Sequence, residues 1–511
     1  MLSAEKFQWH IYFQSLTERI FADDFMLKAE SWRKRWAKRS SKVRVLPHPM
    51  PWGSIVLGLF LIVILPSIAY IYIARIHPGF IRGLQYFITT IYLLTSVMLL
   101  TEAWAAFRAG RKTPDANKTP PLPCCTAIIA AYLPNEQEII LGTVQHMLSV
   151  VDVPPEKLQI VLAYNTPESL EVEADLQEIA ARDPRLLPLR VSGSRSKAEN
   201  VNAALAAATG EIVAIFDADH LPAPDCFRKA WGWLADGCDM VQGRCLIRNQ
   251  RQNWFTRTIA IEFDTIYAVS HPGRAHLSHT AIFGGSNGYW RRDVITALQL
   301  DSSMLTEDID ASLRALLEGR RLVHDRSLVS TELAPLQVNH WMLQRKRWAQ
   351  GWLEVALKHT GAMMRSPHYT GTQKLLWFYL LAWREVYPAL SMQFFPFLLA
   401  SLLTGIPIHW FDNPYLLVAG IINLGCGPLV LFTTYVLAPP KTRRGLGPWY
   451  WVYGLSSLIY TTLKLAITLV AQFSHILKDR EWVTTPRTRP IEPTIQGDHY
   501  AETNFTHPDS N

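Results

Sequence analysis

The sequence predicts an α/β domain inserted between membrane-spanning α-helices, and three observations carry that prediction. Apolar stretches of bilayer-spanning length lie near both ends of the 511-residue chain. The middle alternates strand-length apolar runs with amphipathic stretches. One of those runs ends in paired aspartates. Composition agrees: hydrophobic residues make up 49% and charged residues only 18%, against roughly a quarter charged in an ordinary soluble chain. The net charge of +7 sits beside apolar segments with no nucleic-acid motif. An anionic membrane face and a phosphate-bearing substrate account for it better than nucleic acid does. Six cysteines without metal-ligand spacing read as buried, reduced thiols in a cytoplasmic setting.

In chain order, residues 1–52 form a polar, basic segment with no cleavable signal; its cations include Arg33, Lys34, Arg35, Lys38 and Arg39. Apolar segments follow near 53–74 and 84–107, and Arg108, Arg111 and Lys112 come after them. The positive-inside rule places both basic flanks in the cytoplasm, so 53–108 is a pair of crossings and 109–370 a cytoplasmic domain. A proline-rich linker at 113–123 leads to the runs "CTAIIAAY", "LQIVLAY", "RLLPLRV" and "EIVAIFD", each of strand length. A helix over 196–208 ends near a C-cap at Gly210. Such alternation predicts a parallel, doubly wound sheet that binds ligands beyond the carboxyl ends of its strands. After 370 the apolar segments return near 386–407, 415–438 and 449–474, within a transmembrane region spanning 371–474. The loop 405–414 lacks Lys and Arg and suits the outside, while "KTRRG" at 441–445 suits the inside. A third crossing places the tail 475–511 outside, whereas Lys478, Arg480, Arg487 and Arg489 argue for the inside. A re-entrant segment, or another crossing concealed around "KLLWFYLLAWREVYP", would reconcile the two, and the sequence leaves both open. The N-x-T triplets at Asn117 and Asn504 read as incidental.

The chemistry concentrates in four stretches. "EIVAIF" runs into "DADH", so Asp217 and Asp219 emerge at a strand's carboxyl end. Carboxylates there suit Mg²⁺ or Mn²⁺, which take oxygen ligands and bridge to phosphates. Such a metal neutralises a diphosphate as a nucleotide leaves a sugar; a solvated acidic turn would read the same in isolation. In "SRSKAENVNAAL", Lys197 falls in a helix's first turn, where backbone N–H groups favour anions. It faces a phosphate or lies on the surface, and Asn200 and Asn202 contact nucleotide or cap local backbone. In "LTEDIDASLRALLEG", Thr306 suits an N-cap, and Ile309, Leu313, Leu316 and Leu317 form an apolar face. The acids of that first turn suit the helix dipole; alternatively Asp308 or Glu307 faces a cleft as a general base for an acceptor hydroxyl. In "QRKRWAQGW", Gln344, Arg347 and Trp348 share a helix face, while Arg345 and Lys346 point elsewhere, toward lipid. Arg347 suits a diphosphate and Trp348 a sugar ring, and the same basic, aromatic stretch suits a membrane surface.

The segments "PNE" (134–136), "KAENVN" (197–202), "FDADH" (216–220), "FGGSNGYWRR" (283–292), "TED" (306–308) and "QRKRW" (344–348), in this order, resemble the processive family 2 membrane glycosyltransferases. That family includes cellulose, curdlan, hyaluronan and chitin synthases. The resemblance covers about 125–355 and implies a GT-A (Rossmann-like) fold with inversion in a single displacement. It implies that Pro134, Glu136, Lys197, Asn200 and Asp217 handle the nucleotide, that Asp217 and Asp219 hold Mg²⁺ or Mn²⁺, and that Asp308 is the catalytic base. Glu307, Gln344, Arg347 and Trp348 line the diphosphate and acceptor end, and the spans form a channel for the growing glycan. The chain departs from the family at "LAYNTPE", where Asn165 stands in for an acid that touches the base, and the tail from 475 is too short for a regulatory domain. "FDADH" and "QRKRWAQGW" look closer to glucan than to hyaluronan synthases, which favours UDP-glucose, then UDP-GlcNAc, as donor. The expected partners are a growing polysaccharide and membrane lipids, in the plasma (inner) membrane. A transferase adding one sugar to a lipid or short acceptor is the alternative; a non-catalytic nucleotide-sugar-binding transporter or scaffold is a third.

Overall fold

The computed structural model describes residues 52–109, 114, 119–409 and 413–477. The N-terminal cations, Arg111, Lys112, both N-x-T asparagines and the tail cations lie outside the described residues. Eight strands among the described residues form one sheet: β1 (Cys125–Tyr132), β2 (Leu158–Asn165), β3 (Leu186–Arg190), β4 (Ile212–Asp217), β5 (Leu221–Pro222), β6 (Met240–Ile247), β7 (Gly288–Arg291) and β8 (Leu322–Glu332). Their order is β3-β2-β1-β4-β7-β6-β8-β5.

The first four strands are the four expected runs, and they pair in parallel. Central strands β1 and β4 are buried on both faces, so they read as unbroken apolar runs. The rest of the sheet differs from the expected parallel arrangement: β7 is antiparallel to β4 and β6, and β5 to β8. The sheet is therefore mixed, the curled GT-A arrangement. Gly210 does not cap a helix, since helix Lys197–Ala207 ends at Ala208. Its role is close approach, because a Cβ there would lie 2.5 Å from Thr126 N, inside the entry to β1.

Two helices bring their ends to the carboxyl edge of the sheet. Helix Glu307–Leu317 buries Ile309, Leu313 and Leu316 against Val201, Phe283 and Trp290. Thr306 stands at its N-cap, but its hydroxyl makes no capping bond. That residue instead packs against the long helix Val338–Arg365, at Gly351. A Cβ on Gly351 would collide with the Thr306 side chain, so the glycine lets this helix close on residues 305–308. His359 Nε2, 2.7 Å from Asp310 Oδ1, pins it a second time.

Five described helices are long and apolar enough to cross a membrane: Gly53–Ile76, Gly79–Arg108, Gly371–Thr404, Pro414–Leu437 and Pro440–Ile476. The stretch around "KLLWFYLLAWREVYP" is helical and continuous with the expected segment near 386–407 as one candidate span. It opens the run Gly371–Thr404, which contains a π-helical turn at Tyr379–Trp383 and a break at Met392 and Gln393. This run meets helix Gly79–Arg108 through Trp383 Nε1, which donates to Thr95 Oγ1 at 3.0 Å. Near the far ends, Ala74, Ile81 and Ile88 bury against Phe397 and Ala400. Of the six cysteines, all unpaired, Cys124 is exposed and the other five are buried.

Candidate active site

Beyond the carboxyl ends of β1, β2 and β4 opens a cavity of about 860 Å³. The strand-end carboxylates come first. Asp217 closes β4, its backbone N–H donating to Ser286 Oγ at 3.1 Å. Asp219 is buried, and its Oδ2 accepts from the backbone N–H of Leu333 at 3.0 Å. Arg248 donates to the Asp219 carbonyl, which fixes this turn. Ligand atoms of Asp217, Asp219 and His220 lie within 4.8 Å of one another. Two hard carboxylates and a neutral imidazole fit Mg²⁺ or Mn²⁺. Burial lowers the His220 pKa to about 4, which keeps the ring neutral at physiological pH, and Ser330 Oγ lies 3.1 Å from its Nδ1. Sequence reasoning stopped at the two aspartates; the histidine directly after "DAD" was the available signal.

Lys197 stands at the first turn of its helix, with Ser196 Oγ accepting from the Glu199 N–H at 3.2 Å. Its Nζ is 2.5 Å from Asp217 Oδ1 and donates to Gly285 O at 2.6 Å. Burial works against its charge, yet Asp217, Glu307 and Asp308 together hold its pKa above the usual lysine value. Lys197 is therefore a cation at the centre of three carboxylates.

Asp308 lines the same cavity beside this cluster, next to Gly285 and Lys197. Desolvation, then the neighbouring charge of Glu307, pushes its pKa up to about 7, against the opposing pull of Lys197, the Ile309 N–H and Arg347. A carboxylate tuned to that value suits proton transfer near neutral pH. Gly285, in the left-handed region at φ +85, fits against it: a Cβ there would lie 2.7 Å from Asp308 Oδ2. Gly285 thus supports both Lys197 and Asp308, a role that "FGGSNGYWRR" alone does not assign. If Asp308 is the base, it accepts a proton only when ionised, so transfer is expected to rise with pH up to about 7 and level off above it. A kcat/KM profile flat from pH 5 to 9 would exclude Asp308 as that group.

Asn165, at the end of β2, and Asn200 join side chain to side chain at 2.8 Å and line the cavity with Asn135 and Glu136. Pro134 does not line it; this proline shapes the turn Leu133–Glu136, and its carbonyl accepts from Gln137 Nε2 at 3.1 Å. Asn202 is structural, bonding both ways with the backbone of Leu300 at 2.8 Å. Glu307, Gln344, Arg347 and Trp348 all line the same cavity.

Arg345 overturns the expectation that it reaches lipid. It is buried, pairs with Glu262 Oε2 at 2.7 Å and stacks over the Trp348 ring at 4.2 Å. Glu262 also accepts from Tyr460 at 2.7 Å and Lys464 at 2.6 Å. Burial works against the Glu262 charge, but Arg345 and Lys464 hold its pKa at about 2. Trp348 therefore rests on a cation fixed from below.

A mixed sheet with a carboxylate pair at the end of β4 and Asp308 lining the same cavity is an arrangement that suits a glycosyltransferase. Residues 126–296 match the family described as Glycosyl transferase family 2, and residues 212–436 match Glycosyl transferase family group 2. Over these two stretches the chain is similar to the family 2 glycosyltransferases. It is similar to the probable glycosyltransferase YdaM of Bacillus subtilis (strain 168), 24% identical over 242 residues, covering 46% of this chain and 57% of that one. A cellulose synthase catalytic subunit [UDP-forming] of Komagataeibacter sucrofermentans is 24% identical over 237 residues, covering 43% of this chain and 31% of that one. Glucomannan 4-beta-mannosyltransferase 1 of Oryza sativa is 27% identical over 168 residues, covering 32% of each chain. The matches therefore span 57% or less of these relatives' own lengths. Among solved structures, the mannosyltransferase PcManGT from Pyrobaculum calidifontis, in complex with GDP-Man and Mn²⁺, aligns with a TM-score of 0.49 at 21% identity. That alignment covers 78% of this chain and 100% of that one.

Proposed function

We propose that this chain is a processive, inverting synthase that polymerises a sugar, from UDP-glucose by preference, into a β-linked polysaccharide and passes it into its own membrane region. One observation carries the reading. The cavity that holds Asp217 and Asp308 continues past Trp348 and Trp352 to Tyr379, Trp383 and Tyr387 of helical run Gly371–Thr404. Aromatic faces spaced along an elongated path suit a chain of sugar rings, which present flat apolar surfaces. The relative named cellulose synthase [UDP-forming] supports a UDP donor. Domain 109–370 faces the cytoplasm of a plasma (inner) membrane in this reading, where nucleotide sugars are made.

In this proposal Asp217 and Asp219, with His220 beside them, hold Mg²⁺ or Mn²⁺, which neutralises charge on the departing nucleoside diphosphate. Lys197 and Arg347 face the same diphosphate from the protein side, and Asn165, Asn200 and Glu136 orient the nucleoside. Trp348 holds the terminal sugar of the acceptor, with Gln344 and Glu307 beside it. Asp308 takes the proton from the acceptor hydroxyl as its oxygen bonds to the anomeric carbon. The bond from that carbon to the diphosphate breaks from the opposite face, which inverts the configuration.

The test is to incubate membranes containing the protein with each labelled nucleotide sugar plus Mg²⁺ or Mn²⁺ and to size the product. Polymer of high molecular weight from UDP-glucose is expected; short or lipid-linked product only would overturn processivity. Trp348→Ala should lower elongation roughly tenfold more than donor hydrolysis, as loss of a ring contact worth ~1.5 kcal/mol predicts. Equal losses in both reactions would tell against an acceptor platform.

A further inference from the structure

Strands β5, β6 and β8 bring three unlike ligand atoms together beside the aspartate pair. Cys245 on β6 is in register with Ser330 on β8, and Glu332 follows two residues later. The period of two along a strand therefore puts Cys245, Ser330 and Glu332 on one face of the sheet. His220 leads directly into β5, whose Leu221 pairs with Thr331 of the same strand β8. Ligand atoms of His220, Cys245 and Glu332 lie within 4.8 Å of one another, with His220 Nε2 3.8 Å from Glu332 Oε1. Cys245 is only 1% exposed, but all three residues line the cavity, which gives an ion a way in.

Two contacts behind this trio orient its ligands, as the partners behind a metal site do. Ser330 Oγ, 3.1 Å from His220 Nδ1, occupies that nitrogen and leaves Nε2 toward Glu332. The Tyr267 hydroxyl donates to the Cys245 sulfur. One nitrogen, one sulfur and one carboxylate oxygen make a donor set for Zn²⁺, and three protein ligands leave a fourth position open to the cavity. Sulfur does not suit Mg²⁺, a hard ion that takes oxygen. His220 also belongs to the group with Asp217 and Asp219. With Nδ1 against Ser330, its one remaining nitrogen serves one ion at a time.

We infer that His220, Cys245 and Glu332 form a second cation site, selective for a thiophilic divalent ion such as Zn²⁺, and that filling it draws His220 away from the Mg²⁺ or Mn²⁺ site and slows transfer. The binding stands on the trio alone. The slowing rests on the reading that Asp217 and Asp219 hold the ion that transfer needs.

Co²⁺ is the probe, because its bond to a thiolate gives a charge-transfer band in the near ultraviolet that oxygen and nitrogen ligands do not give. The full chain, in detergent and stripped of metal, should develop that band to one equivalent and lose it when Zn²⁺ is added. Loss of an outer partner alone costs a metal site roughly 10–100-fold in affinity, the effect expected of Tyr267→Phe on Zn²⁺ binding. Cys245→Ser, which removes a ligand, should abolish the band and weaken Zn²⁺ by at least roughly 100-fold. A wild type without the band, or a band that persists in Cys245→Ser, would overturn the site. If Cys245→Ser does not fold, Glu332→Gln tests the same trio: weaker Zn²⁺ binding is expected, and unchanged binding would overturn it. With Mg²⁺ saturating, Zn²⁺ should slow transfer by the wild type and leave Cys245→Ser roughly tenfold or more less sensitive. A band without slowing would overturn the sharing of His220. Because the band is read with no sugar donor present, it decides the site even where no polymer forms.

Discussion

Asp308→Asn is expected to lower the transfer rate by roughly 10²–10⁴-fold, the usual worth of a positioned general base, with donor affinity nearly unchanged. The amide keeps the shape but accepts no proton, and Lys197 and Arg347, the groups proposed to face the diphosphate, stay in place. Single-turnover transfer and equilibrium donor binding measure the two effects separately, and turnover like the wild type would remove Asp308 from the mechanism. A stability readout accompanies the kinetic one. Because the folded protein holds this carboxyl at about 7, above its unfolded value, the contribution of Asp308 to stability is fully present at low pH. It is lost as pH rises through about 7. Asn carries no such charge, so the variant should gain on the wild type in unfolding midpoint between pH 5 and pH 8. A gain that is the same at every pH would mean that the Asp308 charge is not strained in the folded protein.

Glu262→Ala should destabilise the fold by roughly 3–5 kcal/mol, because it strands the buried Arg345 without its partner. Arg345 is buried and loses its partner at 2.7 Å, and Lys464 loses one at 2.6 Å. The unfolding midpoint in detergent should fall by several degrees. Adding Arg345→Met to Glu262→Ala should recover part of the loss, since it removes one stranded charge. If the double variant is no better than the single one, the ion pair is not what holds this junction. Because Arg345 also supports the Trp348 ring, the single variant should lose elongation as well as stability.

Why Arg345 was misplaced by sequence reasoning shows where such reasoning stops. Helical spacing separates Arg345 from Gln344, Arg347 and Trp348, but it says nothing of a carboxylate 83 residues away. The strands divide the same way. Strands β1, β2 and β4 were legible because parallel strands buried on both faces read as apolar runs, and the edge strand β3 because its short run is still largely apolar. Strand β6 was not, because it carries Gln242, Gly243 and Arg244 into a fully buried position. There Gln242 Oε1 accepts from the Gly284 N–H at 2.8 Å and Arg244 pairs with Asp264 at 2.5 Å. Both partners come from the 248–287 excursion between β6 and β7. The aspartates of "DADH" were legible because a strand's end is visible in sequence. Gly285 and Gly351 were not, since a glycine's value lies in the neighbour it admits, Asp308 in one case and Thr306 in the other.

The distribution of thiols has a practical consequence. Five cysteines are sealed inside the fold and Cys124, at the threshold of β1, is open, so the unmutated chain carries its own probe of sidedness. A membrane-impermeant maleimide added to sealed right-side-out vesicles should leave Cys124 unreacted, and the same reagent added to inverted vesicles should modify one thiol per chain. The side from which that single adduct forms is the side on which the sugar donor must be supplied.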